Sequence, residues 1–147
     1  MTDPETISAD VVDAALHIHR GLGPGLLESV YETVLAGALS RRGYRVERQR
    51  TIDIEFDGMR FEGAFRADLL VDEMLLIEIK SVERLTSAHA KQVLSYLRLM
   101  DLPLGLLINF GGETLREGLK RIVNNHRSFA SSRLRVNQTS PSPSPGA

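Results

Sequence analysis

Residues 66–80 read Arg66-Ala67-Asp68-Leu69-Leu70-Val71-Asp72-Glu73-Met74-Leu75-Leu76-Ile77-Glu78-Ile79-Lys80, two apolar runs separated by a short polar turn. The strand period of two places Glu78 and Lys80 on one face of the second run and Ile77 and Ile79 on the other. With Asp72 to Met74 as the turn, an antiparallel register sets Asp68 directly across from Glu78 and Arg66 across from Lys80. Two carboxylates facing each other across a ladder repel, which destabilises the pair unless a cation lies between them. Hard divalent ions such as Mg²⁺ are held by one or two carboxylates, with water and phosphate oxygens completing the shell. A lysine two residues along the same face is placed to orient or deprotonate a water and to balance charge on a phosphate. A plainer reading stays open beside this one: Asp68 and Glu78 as solvated outer-face residues, with Lys80 as their salt-bridge partner. Context favours the first, because Glu78 and Lys80 interrupt a strand of Leu and Ile in a sheet with little free surface.

Working outward, β-rich runs precede this pair at 45–54 and 59–71, with a break near Gly63 and a hairpin turn at Asp57-Gly58. Further upstream Leu27, Val30, Tyr31, Val34, Leu35, Ala38 and Leu39 recur at helical spacing, and Gly43 is the expected left-handed stop. An earlier helix runs from about Ser8 through Val11, Ala15, Ile18 and Leu22, ended by Gly21-Leu22-Gly23-Pro24-Gly25. Downstream, a helix over 86–100 buries Ala90, Val93, Leu94 and Leu97, and the run 104–110 reads as a strand covered on both faces. A last helix is expected over 114–124, presenting Leu115, Leu119, Ile122 and Val123. The order predicts an α/β domain over 8–128, a mixed central sheet flanked by helices, between a flexible segment 1–7 and a disordered Ser/Pro-rich tail 129–147.

Composition narrows the chemistry. The chain has 147 residues, 42% hydrophobic and 25% charged, within the range of one globular domain. No apolar run approaches the ~20 residues of a membrane helix, and the start MTDPETISAD lacks the pattern of a signal peptide, so a cytoplasmic location is expected. The absence of cysteine removes disulfides, thiolate metal sites and thiol nucleophiles, leaving carboxylates, His, Lys and hydroxyls. A net charge of −1 argues against coating nucleic acid by bulk charge, so any such contact is local.

On the helix over 86–100, His89, Gln92 and Tyr96 share one face and could border the site, although packing or a backbone hydrogen bond is the plainer reading for Gln92 and Tyr96, and a surface position at the helix start is as good a reading of His89 as a base. Glu28 sits in a first helical turn, where the helix dipole alone favours a carboxylate. His17 and His19 point to different sides of their helix and read as structural.

Gly25-Leu26-Leu27-Glu28-Ser29-Val30-Tyr31 is a GxxExxY signature, and over about 11–123 the chain resembles the bacterial GxxExxY protein family. Leu22-Gly23-Pro24-Gly25, Arg66-Ala67-Asp68, Ile77-Glu78-Ile79-Lys80, His89 with Gln92, Tyr96-Leu97-Arg98 and Gly105-Leu106-Leu107-Ile108-Asn109-Phe110-Gly111 extend the likeness. That family is placed in the PD-(D/E)XK, restriction-endonuclease-like superfamily. The resemblance implies a Mg²⁺-dependent (or Mn²⁺-dependent) nuclease in which Asp68 and Glu78 are acidic metal ligands, Lys80 is the catalytic lysine and Glu28 is an added carboxylate from the first core helix. Gln92 and Tyr96 resemble the QxxxY motif of RecB-type nucleases, which makes them substrate-binding candidates together with His89 and Arg66. Ala67 stands where many members carry proline.

The implied partner is nucleic acid, DNA before RNA, with Arg84, Lys91 or Arg98 placing its backbone and with a homodimer or partner protein as further options. A non-cleaving nucleic-acid-binding module using Arg41, Arg42, Arg45, Arg48 and Arg50 as a positive strip is the alternative. An interaction subunit of a larger assembly is the third.

Overall fold

A computed structural model describes residues 3–125 and 134–138. The first helix, α1 (Pro4–Leu22), begins earlier than the apolar pattern indicates, because Asp3 caps it by accepting from the Thr6 N–H at 2.8 Å and Pro4 occupies the first turn. Residues 4–7, expected to be flexible, therefore belong to the helix, and Ile7 is fully buried. After a turn through Gly23 and Gly25, both at positive φ, α2 (Glu28–Arg41) follows and ends at Gly43, at φ 98°. The Tyr44 and Gly43 N–H groups close back on the Leu39 and Ser40 carbonyls, the expected left-handed stop.

Strand β1 (Val46–Phe56) turns at Asp57 and Gly58, both at positive φ, into β2 (Met59–Val71), as the Asp-Gly pair predicts. The break expected near Gly63 is a bulge within a continuous strand. The register shifts between Ile52 and Ile54, Gly63 takes φ 60°, and its N–H donates to the Asp53 carboxylate at 2.7 Å. The turn Asp72 to Met74 then leads into β3 (Leu75–Lys80), with Val71 paired to Leu75 as expected. Helix α3 (Ser87–Met100) crosses over to β4 (Leu104–Asn109), which pairs parallel to β3.

Two expectations are corrected at the C-terminal side. Residues 114–124 are not a helix: a short 3₁₀ turn at Arg116–Gly118 leads into β5 (Leu119–Val123), antiparallel to β4. Strand β4 is buried throughout, so its outer N–H and C=O groups need partners that only another strand can supply. Gly118 also lies so close to β4 that a Cβ there would sit 2.5 Å from the Asn109 carbonyl oxygen. Of the segment 129–147, expected to be disordered, residues Leu134–Gln138 form β6 along the outer edge of β1. That pairing depends on an edge brought into place by the rest of the chain. The remainder of the segment lies outside the described residues.

The six strands run in the order β5-β4-β3-β2-β1-β6. Helices α1 and α2 cover one face, packing Ile7, Val11, Leu35 and Leu39 on Leu69, Leu75, Ile77, Ile79 and Ile108. Helix α3 covers the other, packing Val93 and Leu97 on Leu70, Leu76 and Leu107. The broad apolar stripe of α2 is only half used, since Tyr31, Leu35 and Leu39 are buried while Leu27, Val30 and Val34 are exposed. Among the described residues no helix is long and apolar enough to cross a membrane.

The segment after β3 is pinned by β4. The Asn109 side-chain oxygen accepts from the Val82 N–H and its amide donates to the Val82 carbonyl, both at 2.9 Å. Gly111 lies against the same backbone, where an added Cβ would come within 2.6 Å of the Val82 nitrogen. Gly111→Ala is therefore expected to lose about 1–3 kcal/mol of stability through overpacking. Gly112→Ala, with ordinary clearance, should stay within about 0.5 kcal/mol of wild type in the same urea titration.

Candidate active site

The β2/β3 ladder pairs Val71 with Leu75, Leu70 with Leu76 and Leu69 with Ile77, then stops. One step further the same register brings Asp68 to Glu78, as the sequence predicts, but backbone carbonyls no longer receive the N–H groups. The Asp68 N–H donates to Glu78 Oε2 at 2.9 Å, and the Ile79 N–H donates to Asp68 Oδ2 at 2.8 Å. Two carboxylates have taken the place of ladder acceptors, so the strands part around them. Beyond this point Arg66 is exposed and pairs with Thr51 of β1, so the expected position across from Lys80 is not held by the ladder.

Electrostatics matches this geometry. Glu78 is only 4% exposed, and burial, followed by the charge of Asp68, pushes its carboxyl up to about 8. Burial also raises Asp68, with the charge of Glu28 adding a smaller push. Lys80 is half-buried and its charge partly offsets both effects at a distance. Among the described residues its ammonium makes no direct ion pair, so it is not the salt-bridge partner of the plainer sequence reading.

The Gly25, Glu28 and Tyr31 positions build the neighbouring wall. Tyr31 is fully buried, stacked on Phe110 at 4.3 Å between centroids, and its hydroxyl donates to the Gly23 carbonyl at 2.5 Å while accepting from the Leu26 N–H at 3.1 Å. This holds the turn ahead of α2 against the end of β3, where Ser81 donates to the Leu26 carbonyl at 2.6 Å. Glu28 accepts from the Ser81 N–H at 3.3 Å. A cavity of about 880 Å³ opens here, lined by Glu28, Glu32, Gln49, Asp68, Ser81 and Glu83 among others. Asp68 forms part of its wall, whereas Glu78 and Lys80 do not.

Two residues that sequence reasoning missed, Glu32 and Gln49, complete this wall. Glu32, 6% exposed, accepts from Gln49 at 2.6 Å and from Arg48 Nε at 3.1 Å, and Gln49 also donates to Asp68 Oδ1 at 3.2 Å. Glu32 was within reach of the sequence, since it lies one turn from Glu28 on the same helix face. Gln49 was not, for its place depends on a backbone φ of 54° that nothing local announces.

The α3 candidates separate. Tyr96 stacks on Phe65 of β2 at 3.9 Å between centroids and 13° between planes, and its hydroxyl is raised by burial and then by the charges of Glu78 and Asp68. It therefore stands close enough to the carboxylate pair for both charges to act on it. Gln92, one turn earlier, is exposed. His89 closes the capping box of α3, its Nδ1 accepting from the Thr86 N–H at 3.0 Å, a role that neither sequence reading of it included. His19 is buried and bonded through Nε2 to the Gly112 carbonyl at 2.9 Å.

Four arginines of the proposed positive strip are paired. Arg42 pairs with Asp10 and Asp13, Arg45 with Glu73, Arg48 with Glu32, and the buried Arg50 with Glu47. These four arginines each have an acidic partner within the chain, while Arg41 of the same strip is exposed and makes no ion pair among the described residues.

Asp68 and Glu78 offer hard oxygen donors at a place where the charge of Asp68 penalises that of Glu78 and the charge of Glu28 that of Asp68, and this donor set fits a divalent cation. Among the described residues no three His, Asp or Glu side chains stand as a ready-made metal cluster, so the fit is that of a two-carboxylate site. Residues 5–122 match the sequence model of the PD-(D/E)XK nuclease superfamily. The chain belongs to that superfamily. Its mixed sheet flanked by helices agrees with the superfamily's restriction-endonuclease-like fold, and PD-(D/E)XK nucleases generally use divalent metal ions. Comparison with curated proteins gives no match, nor does comparison with solved structures.

The raised carboxyl of Glu78 has a measurable consequence. Between its ordinary value of 4.5 and about 8, the unfolded chain releases a proton that the folded chain keeps, so stability falls as pH rises through this window. Glu78→Gln keeps an acceptor for the Asp68 N–H but carries no charge. With a chelator present it should melt higher than wild type at about pH 9, with the gain fading toward about pH 5. A pH-independent difference in melting temperature would show that burial of this charge is not what opposes folding.

Proposed function

We propose that the protein is a divalent-metal-dependent nuclease that hydrolyses phosphodiester bonds of DNA, or RNA, at the parting of β2 and β3. The observation that carries this reading is the exchange of two ladder carbonyls for the Asp68 and Glu78 carboxylates, with Lys80 unpaired two residues along the same strand. Asp68 and Glu78 would hold Mg²⁺ or Mn²⁺, and Glu28, across the cavity wall, is the further carboxylate suited to join them. The ion supplies Lewis-acid activation of water and charge neutralisation on the phosphate.

The remaining work falls to the chain's own groups. Lys80 orients the attacking water and balances charge growing on the phosphoryl oxygens. Tyr96, fixed by its stack on Phe65, borders the scissile position, and Gln92 one turn away contacts the bound strand, in keeping with the likeness to the QxxxY motif. Exposed Arg66, Arg84, Lys91 and Arg98 are the cations available for neighbouring phosphates. His89 contributes through the start of α3 rather than as a base. The GxxExxY likeness is supported by the use made of Gly25, Glu28 and Tyr31 in building the wall.

A partner-dependent role is the second reading, favoured by exposed Leu26 and Leu27 at the rim of the cavity and by Val30 and Val34 on the same helix. The test is Mg²⁺- or Mn²⁺-dependent cleavage of labelled single- and double-stranded DNA and RNA by wild type and Lys80→Ala. We expect cutting of at least one substrate and a loss of at least about 100-fold in the variant, with its urea midpoint unchanged. An undiminished rate in Lys80→Ala would remove Lys80 from the chemistry. No cutting by wild type would leave the partner-dependent role.

A further inference from the structure

Consecutive strand residues point to opposite faces of a sheet. Arg48 and Gln49 break this rule, since both side chains bond the same carboxylate, Glu32 of α2. The cause lies in the backbone: Arg48 pairs with Leu69 and Arg50 with Ala67, while Gln49, opposite Asp68, drops out of the paired register at φ 54°. The packing changes face across this point. Val46 packs with the α1/α2 core, and Ile52 packs with the α3 core. On β2, Leu69 lies with the first core and Ala67 with the second. A left-handed conformation is costly for any residue with a Cβ, and glutamine is not among the types that adopt it readily. Glycine would satisfy this backbone with less strain.

We propose that Gln49 is a positioning residue for the metal-binding carboxylate Asp68, an inference that rests on the nuclease reading above. The Gln49 amide nitrogen donates one hydrogen to Glu32 Oε1 at 2.6 Å and the other to Asp68 Oδ1 at 3.2 Å. Glu32 is itself held by Arg48, whose guanidinium is braced on the Thr33 hydroxyl at 2.8 Å. The amide is thus anchored from behind and fixes the free side of Asp68, while the Ile79 N–H holds Oδ2. With both oxygens oriented, Asp68 presents its remaining lone pairs in one geometry. Groups that orient metal ligands from behind typically change metal affinity by about 10- to 100-fold when removed.

Strain in the backbone gives the proposal a signature that separates positioning from folding. Mn²⁺ binding to the purified full chain is titrated by loss of the free-ion spin-resonance signal for wild type, Gln49→Gly and Gln49→Met, and melting temperatures are recorded in chelator. Gln49→Gly should melt at or above the wild-type temperature and yet bind Mn²⁺ about tenfold more weakly or worse. Gln49→Met, which keeps the side-chain length without the donors, should show the same loss of affinity. Mn²⁺ affinity equal to wild type in either variant would overturn the proposal. Weaker binding accompanied by lower melting temperatures in both would also overturn it, making Gln49 a structural residue. If wild type itself takes up no Mn²⁺, the metal site and with it the nuclease reading fall. The positioning role then falls too, an outcome distinct from an intact site that ignores Gln49.

Discussion

The structure turns on two backbone N–H groups, those of Asp68 and Ile79, that give their hydrogen bonds to side-chain carboxylates instead of to the neighbouring strand. Inside a sheet an unpaired N–H would be strongly unfavourable, so the strands can part here only because Glu78 and Asp68 supply the acceptors. The same exchange fixes the carboxylates, since an oxygen bound to a main-chain N–H in a rigid strand cannot swing away. Fold and site are therefore one arrangement. The place where β2 leaves β3 is also the place where the donor set assembles.

This arrangement opposes stability. Glu78 lies in the middle of a fully covered strand, next to another acid, and its raised carboxyl records what burial costs the charged form. The surrounding structure compensates by packing. Leu75, Ile77 and Ile79 of the same strand face the α1/α2 core, and Leu76 faces α3. Asn109, Gly111 and the Tyr31 hydroxyl then fasten the segments on either side, so that the chain around the acids has little room to relax.

Charge is distributed to match. The cavity wall is acidic, and Arg42, Arg48 and Arg50 pair with acids of the same chain. A net charge of −1 argues against bulk attraction of a polyanion by the chain as a whole. Under the nuclease reading proposed above, binding would rest on a cation between the carboxylates and on a few separate basic side chains.

The sequence by itself determined the elements whose cause is local. The stripe of α2 with its Gly43 stop, the Asp-Gly hairpin, and the turn that sets Asp68 across from Glu78 follow from spacing and from the few conformations those turns allow. So did Asp68, Glu78 and Lys80 as candidates, because charges in a strand of Leu and Ile are visible without a structure. Tertiary structure decided whatever depends on a distant partner. Residues 119–123 and 134–138 become strands because β4 and β1 offer them unpaired edges, an influence absent from their own residues. His89 went to a helix cap, and Arg42, Arg45, Arg48 and Arg50 to ion pairs within the chain. Gln49 meets both Asp68 and Glu32 only because β1 carries one left-handed residue, and a backbone angle set by two packed faces leaves no periodic trace in the chain.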